Sequence, residues 1–96
     1  MKHDFVVYFG ERSLINAAIQ QYVSEVGQQY PHLNLQLDAK FVGEHFVEDD
    51  IIPIVDANYH FHGYPVVMKN GKYFGRIDEL YDEIKRLKVL AKNDLQ

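Results

Sequence analysis

The chain contains no cysteine. That absence excludes disulfide formation, dithiol cycling and zinc binding through sulfur, because each needs a thiolate. Long hydrophobic runs are missing as well. The longest uninterrupted apolar stretch is FVVYF, Phe5 to Phe9, far short of the roughly 20 residues that span a bilayer. Met1-Lys2-His3-Asp4 running straight into that stretch lacks the layout of a signal peptide, so a cytoplasmic location with no membrane partner is expected. There is no excess of positive charge either. With 10 Lys and Arg against 14 Asp and Glu, the net charge of -4 gives no electrostatic footprint for nucleic acid. The one basic cluster, Lys85, Arg86, Lys88 and Lys92, comes late in a helical pattern whose early residues Asp78, Glu79, Asp82 and Glu83 are acidic. The helix dipole favours that distribution, and it allows an Asp82 to Arg86 pair at i,i+4, so the cluster reads as solvated helix surface.

What is present is an ordinary globular composition: 96 residues, 47% hydrophobic and 14% aromatic. That is enough for one core and too little for two, so a single domain over residues 1–96 is expected. FVVYF predicts a strand covered on both faces, ended by Gly10. Between Leu14 and Val26, the residues Ile15, Ala18, Ile19, Tyr22, Val23 and Val26 recur at helical spacing, with Ser13 placed to cap the start and Gly27 placed to stop the end. Leu33, Leu35 and Leu37 alternate with polar residues, which predicts a second strand after the Tyr30-Pro31 turn. From Ala39 to His62 the pattern is weak. Glu48-Asp49-Asp50 predicts a short helix near 49–56, with Pro53 tolerable only if that helix has barely begun. Val66 to Met68, the Asn70-Gly71 turn and Lys72 to Phe74 predict a hairpin. Ile77, Leu80, Ile84, Leu87 and Ala91 line one face of a final helix from about Asp78, with the tail from Asn93 fraying.

The expected order is β-α-β-α-β-β-α, a four-stranded mixed sheet with helices on both faces. It is the order of the thioredoxin fold, and YPVVMKNGKYFGRIDEL, Tyr64 to Leu80, resembles the second half of a glutaredoxin. Pro65, Asn70-Gly71, Gly75 and Asp78-Glu79 match that pattern, whereas the second family glycine is Arg76 here. The VVYFG start, QYPHLNLQLD and the spacing from Asp50-Ile51 through Ile54 to Tyr64-Pro65 are similar to the YuzD-like family of proposed disulfide oxidoreductases. Relatives of both groups carry Cys-x-x-Cys between the first strand and first helix. This chain has Gly10-Glu11-Arg12-Ser13 there, and by glutaredoxin spacing the two cysteine positions fall on Ser13 and Asn16. A thiol at a helix N-terminus is acidified by the dipole and the free N–H groups; a serine hydroxyl gains no comparable acidity, so dithiol exchange does not carry over.

The resemblance implies a cis peptide before Pro65 and a groove for an extended peptide or glutathione, bordered by Arg12, Ser13, Tyr64, Pro65, Gly75, Arg76 and Asp78. Backbone pairing to the residue before the proline needs no cysteine, so a peptide- or partner-binding domain without a cofactor is the leading expectation. The alternative is a transferase-like enzyme in which Tyr8 or Ser13 donates a hydrogen bond to the thiolate of glutathione, with Arg12 and Asp78 meeting its charged ends. Against it stands the lack of the additional helical domain that transferases carry. His60-x-His62 could hold a metal, but no third ligand is identifiable, and alternating histidines beside Tyr59 and Phe61 are more often loop residues. An oligomeric role through the aromatic-rich stretch Tyr59 to Tyr64 is the remaining reading. The plainer roles are Ser13 as a helix cap, Tyr8 as a core residue, Arg12 as a solvated charge and Gly75 as a position of unusual dihedral angles.

Overall fold

A computed structural model of the chain describes residues 2–10, 14–56 and 63–94. In chain order the elements are β1 (His3–Phe9), α1 (Leu14–Gln29), a 3₁₀ turn (Pro31–Leu33), β2 (Leu35–Phe41), α2 (Glu48–Asp56), β3 (Val66–Lys69), β4 (Lys72–Gly75) and α3 (Ile77–Asp94). The strands form one four-stranded mixed sheet in the order β2-β1-β3-β4. β1 runs parallel to β2, from His3 opposite Leu35 to Phe9 opposite Phe41, and antiparallel to β3, while β3 and β4 form the hairpin. Asn70 and Gly71, at φ 51° and 83°, turn that hairpin with the left-handed pair a tight two-residue loop requires.

Alternation along β1 sorts the core into two layers. Phe5, Val7 and Phe9 face α1 and α3, packing with Ile19, Val23 and Val26 of the first and Leu80, Ile84, Leu87 and Ala91 of the second. Phe9 stacks on Phe41 with ring centres 5.5 Å apart. Tyr8 points to the other face, where Ile51 and Val55 of α2 meet Val66. Each fully buried aliphatic side chain of this kind contributes about 1.5–3 kcal/mol. The helices thus cover both faces, but unequally. α2 packs over the Tyr8 end alone; toward the start of β1, Asp4, Val6, Gln36 and Asp38 line an open depression. FVVYF is therefore fully covered on one face and half-covered on the other.

Three local expectations change. Gly27 does not stop α1, which continues to Gln29; Tyr30 still donates its N–H to the Val26 carbonyl, and the end comes where Pro31 has no N–H to give. A Cβ at Gly27 would meet only Leu35, at 3.8 Å, so neither dihedral nor space demands glycine there. The second strand begins two residues later than Leu33, which is buried in the 3₁₀ turn, and Asn34 leaves that turn in the left-handed region at φ 52°. Arg86 pairs with Glu83 rather than Asp82, through Nε to Oε1 at 2.6 Å and Nη2 to Oε2 at 2.9 Å. Glu83 is also held by Lys69 of β3, at the rim of the core beside Phe5 and Phe74.

Candidate functional site

Three backbone segments converge at the end of the sheet where β1 finishes. Gly10 closes β1, Tyr64-Pro65 leads into β3, and Gly75-Arg76 links β4 to α3. The pairing of Tyr8 with Val66 and of Val67 with Gly75 places all three at that end. The Tyr64–Pro65 peptide bond is cis.

Tyr64 is the centre of the arrangement. Its side chain lies against Gly10, so close that a Cβ at Gly10 would stand 3.0 Å from Tyr64 Cδ2. Glycine at position 10 therefore serves a close approach. The same ring meets Phe46 edge-on at 5.9 Å, and Phe46 meets Tyr8 edge-on at 4.9 Å. Such aromatic pairs add about 0.5–1.5 kcal/mol beyond their burial. Burial, with the Glu48 carboxylate nearby, raises the Tyr64 hydroxyl above its ordinary pKa, which keeps it protonated. Arg76 Nη2 donates to the Tyr64 carbonyl at 3.3 Å and bridges the β4–α3 link to the residue before the proline.

The helix starts here share one device. Glu79 reaches back to accept from the Arg76 N–H at 3.2 Å, and Asp50 likewise accepts from the Val47 N–H at 3.3 Å. Each is the reverse half of a capping box, an acid at the third helical position satisfying the capping residue's N–H. Glu79 also explains Gly75. The glycine has no positive φ, contrary to the unusual dihedral expected; a Cβ would instead stand 3.0 Å from Glu79 Cβ and 3.1 Å from its Cγ.

Of the residues singled out by sequence, Tyr64, Pro65, Gly75 and Arg76 come together at this end. Asp78 is exposed in the first turn of α3. Tyr8 is half-buried in the aromatic cluster, and Asn16 is buried in the first turn of α1. Arg12 and Ser13 lie outside the described residues, as do His60 and His62 and most of the stretch Tyr59 to Tyr64. Among the described residues, no three His, Asp or Glu side chains group to hold a metal, and no helix is long and apolar enough to cross a membrane.

Phe46 and Tyr73 join the cluster without having been singled out. Phe46 sits in the segment without periodicity, held by a Val42–Phe46 bridge that only the fold reveals. The Glu79 cap had a readable signal, an acid three residues after Arg76 at the start of an apolar helical pattern. Comparison with known proteins assigns no family: no protein-family model, no curated protein and no solved structure matches the chain.

Proposed function

We propose that this chain is a thioredoxin-like domain, akin to glutaredoxins and the YuzD-like group, that binds an extended segment of a partner protein at the Gly10–Tyr64–Arg76 end of its sheet. Dithiol exchange is outside its chemistry, since it has no cysteine. The observation that carries the reading is the convergence of Tyr64 on Gly10, with Arg76 fixing the Tyr64 backbone through its carbonyl. A backbone carbonyl carries two lone pairs, of which Arg76 engages one at Tyr64, and with the half-buried ring next to it this suits an extended ligand, which gains affinity from main-chain pairing and specificity from side-chain contacts. The parallel β1–β2 pair beside an antiparallel β3–β4 hairpin is compatible with the fold proposed.

Selection from a random-peptide phage library against the intact chain tests this. Enriched extended peptides should lose about tenfold or more in affinity for Tyr64→Ala, the expected behaviour of an anchoring aromatic, and should also weaken for Arg76→Ala. Absence of enrichment, or peptides indifferent to both substitutions, would refute the reading. Titration with glutathione is the companion measurement: binding abolished by Tyr8→Phe would move the assignment to a glutathione site.

A further inference from the structure

β2 is an edge strand with one flank open. The Val42 N–H donates to the Phe9 carbonyl, and the His3 N–H donates to the Asn34 carbonyl. Those bonds set the phase of the strand. Even-numbered residues turn their backbone groups toward β1, and Leu35, Leu37, Ala39 and Phe41 turn theirs outward. The outward groups of Phe41 are taken: its N–H donates to His45 Nδ1 at 3.0 Å, and its carbonyl accepts from the N–H groups of Glu44 and His45. At the other end the chain turns away into the 3₁₀ turn, where the Asn34 N–H donates to the Pro31 carbonyl. Among the described residues nothing caps Leu35, Leu37 and Ala39. The open edge is thus bounded on both sides and symmetric about Leu37.

We infer that this edge pairs with the same edge of a second copy of the chain, antiparallel across a twofold axis at Leu37, joining two four-stranded sheets into one. Leu37 then exchanges both its hydrogen bonds with Leu37 of the second copy, and Leu35 exchanges its bonds with Ala39. The side chains agree with that register. Gln36 falls opposite Asp38 of the second copy, an amide donor against a carboxylate, twice by symmetry. Lys40 falls opposite Asn34, so no like charges stand directly opposite one another. A register centred on Asp38 would set that carboxylate against its own copy, and one centred on Ala39 would need the Phe41 N–H that His45 already holds.

The surroundings fit the same occupant. Beside the edge runs a groove of about 600 Å³ between α1 and β2, lined by Gln20, Ser24 and Gln28 of the helix and by Leu35 and Leu37 of the strand. α1 has one charged residue in sixteen, Glu25, and it does not line the groove. Two copies meeting here bring neutral, hydrogen-bonding helix ridges together, although the chain as a whole carries -4. A long open edge is ordinarily an aggregation hazard; ends closed at Phe41 and at the 3₁₀ turn restrict the registers available and favour a specific contact. The inference is independent of the site at Tyr64, which lies at the other end of β1.

Light scattering on the full chain over a concentration series is the test. The mass should move from one chain toward two. Gln36→Glu, exposed and remote from the core, should weaken the dimer roughly 2- to 30-fold through two symmetric carboxylate pairs, and Gln36→Lys should tighten it. Hydrogen exchange should slow at Leu35, Leu37 and Ala39 only as the dimer forms, whereas Gln36, Asp38 and Lys40 are protected throughout. A single-chain mass at every concentration overturns the inference and leaves the edge to a strand of another protein. A dimer that ignores both substitutions and leaves those three amides unprotected overturns it equally, because it uses another surface.

Discussion

Glu83 shows how one residue can set the acid limit of this fold. Its carboxylate is only 10% exposed and is held from two sides, by Arg86 and by Lys69. Hydrogen bonding from Arg86 and then from Lys69, with the attraction of both cations, outweighs burial and lowers its pKa from 4.5 to about 2. A folded pKa below the unfolded one means that the unfolded chain takes up protons first. The stabilisation is therefore complete above about pH 4.5 and is lost as the pH falls toward 2. It amounts to on the order of 1–3 kcal/mol, since solvent screens the exposed Arg86 side. Urea unfolding between pH 5 and pH 2 should show that loss in the native chain and a flatter profile in Glu83→Gln; parallel profiles would remove Glu83 as the cause. His3, buried beside the same cations, acts in a separate window. Burial and then Lys69 lower its pKa, so it disfavours folding only once the pH drops below its ordinary 6.5. Sequence periodicity placed Glu83 on a helix with basic neighbours, but its second cation, Lys69, reaches it from β3, which no local pattern contains.

At the scale of elements, α2 carries a contradiction. Pro53 was tolerable only at a helix start, yet it stands in the interior of Glu48–Asp56, where it cannot donate to the Asp49 carbonyl. Its side chain is exposed and packs nothing in the core. Pro53→Ala should thus restore a backbone bond without loss of contacts, stabilising the chain by about 2 kcal/mol after the added freedom of the unfolded state is deducted. Thermal unfolding measures it, and a lower melting temperature would show that the proline's rigidity matters more than the bond. The helix forms despite Pro53 because Ile51 and Val55, four apart, bury against Val66, and because Asp50 caps the start. Other elements were readable to different depths. The Asn70-Gly71 hairpin was plain, since its cause is confined to two residues. The end of α1 and the start of β2 were not, because Gly27 and Leu33 obey contacts and a 3₁₀ turn in place of their own propensities. Of the candidate site, the resemblance singled out Tyr64, Pro65, Gly75 and Arg76, which the fold brings to one end of the sheet; that Gly10 lies against the Tyr64 ring was not legible.

For the molecule as a whole, the two faces of the sheet should differ in stability. Among the described residues, the core cluster under α1 and α3 has fourteen buried members and the cluster under α2 three. The smaller cluster provides less to hold its helix, so α2 should open alone. Its amides should exchange well before those of α1, α3 and β1, which open only with global unfolding. Uniform protection across the three helices would mean that the layers unfold as one unit. Dimerisation through β2 would act on this same scale, raising protection along the free edge while leaving α2 unchanged. The sequence by itself determined the element types, the hairpin, the amphipathic faces of α1 and α3, and the lack of thiol chemistry, because each depends on local periodicity, turn geometry or composition. Tertiary structure alone decided that Lys69 joins Arg86 on Glu83, that a side chain at Gly10 would crowd the Tyr64 ring, how Phe46 reaches Tyr64, and which backbone groups of β2 remain open. Those depend on atoms that are distant in the chain and become neighbours only when the sheet forms.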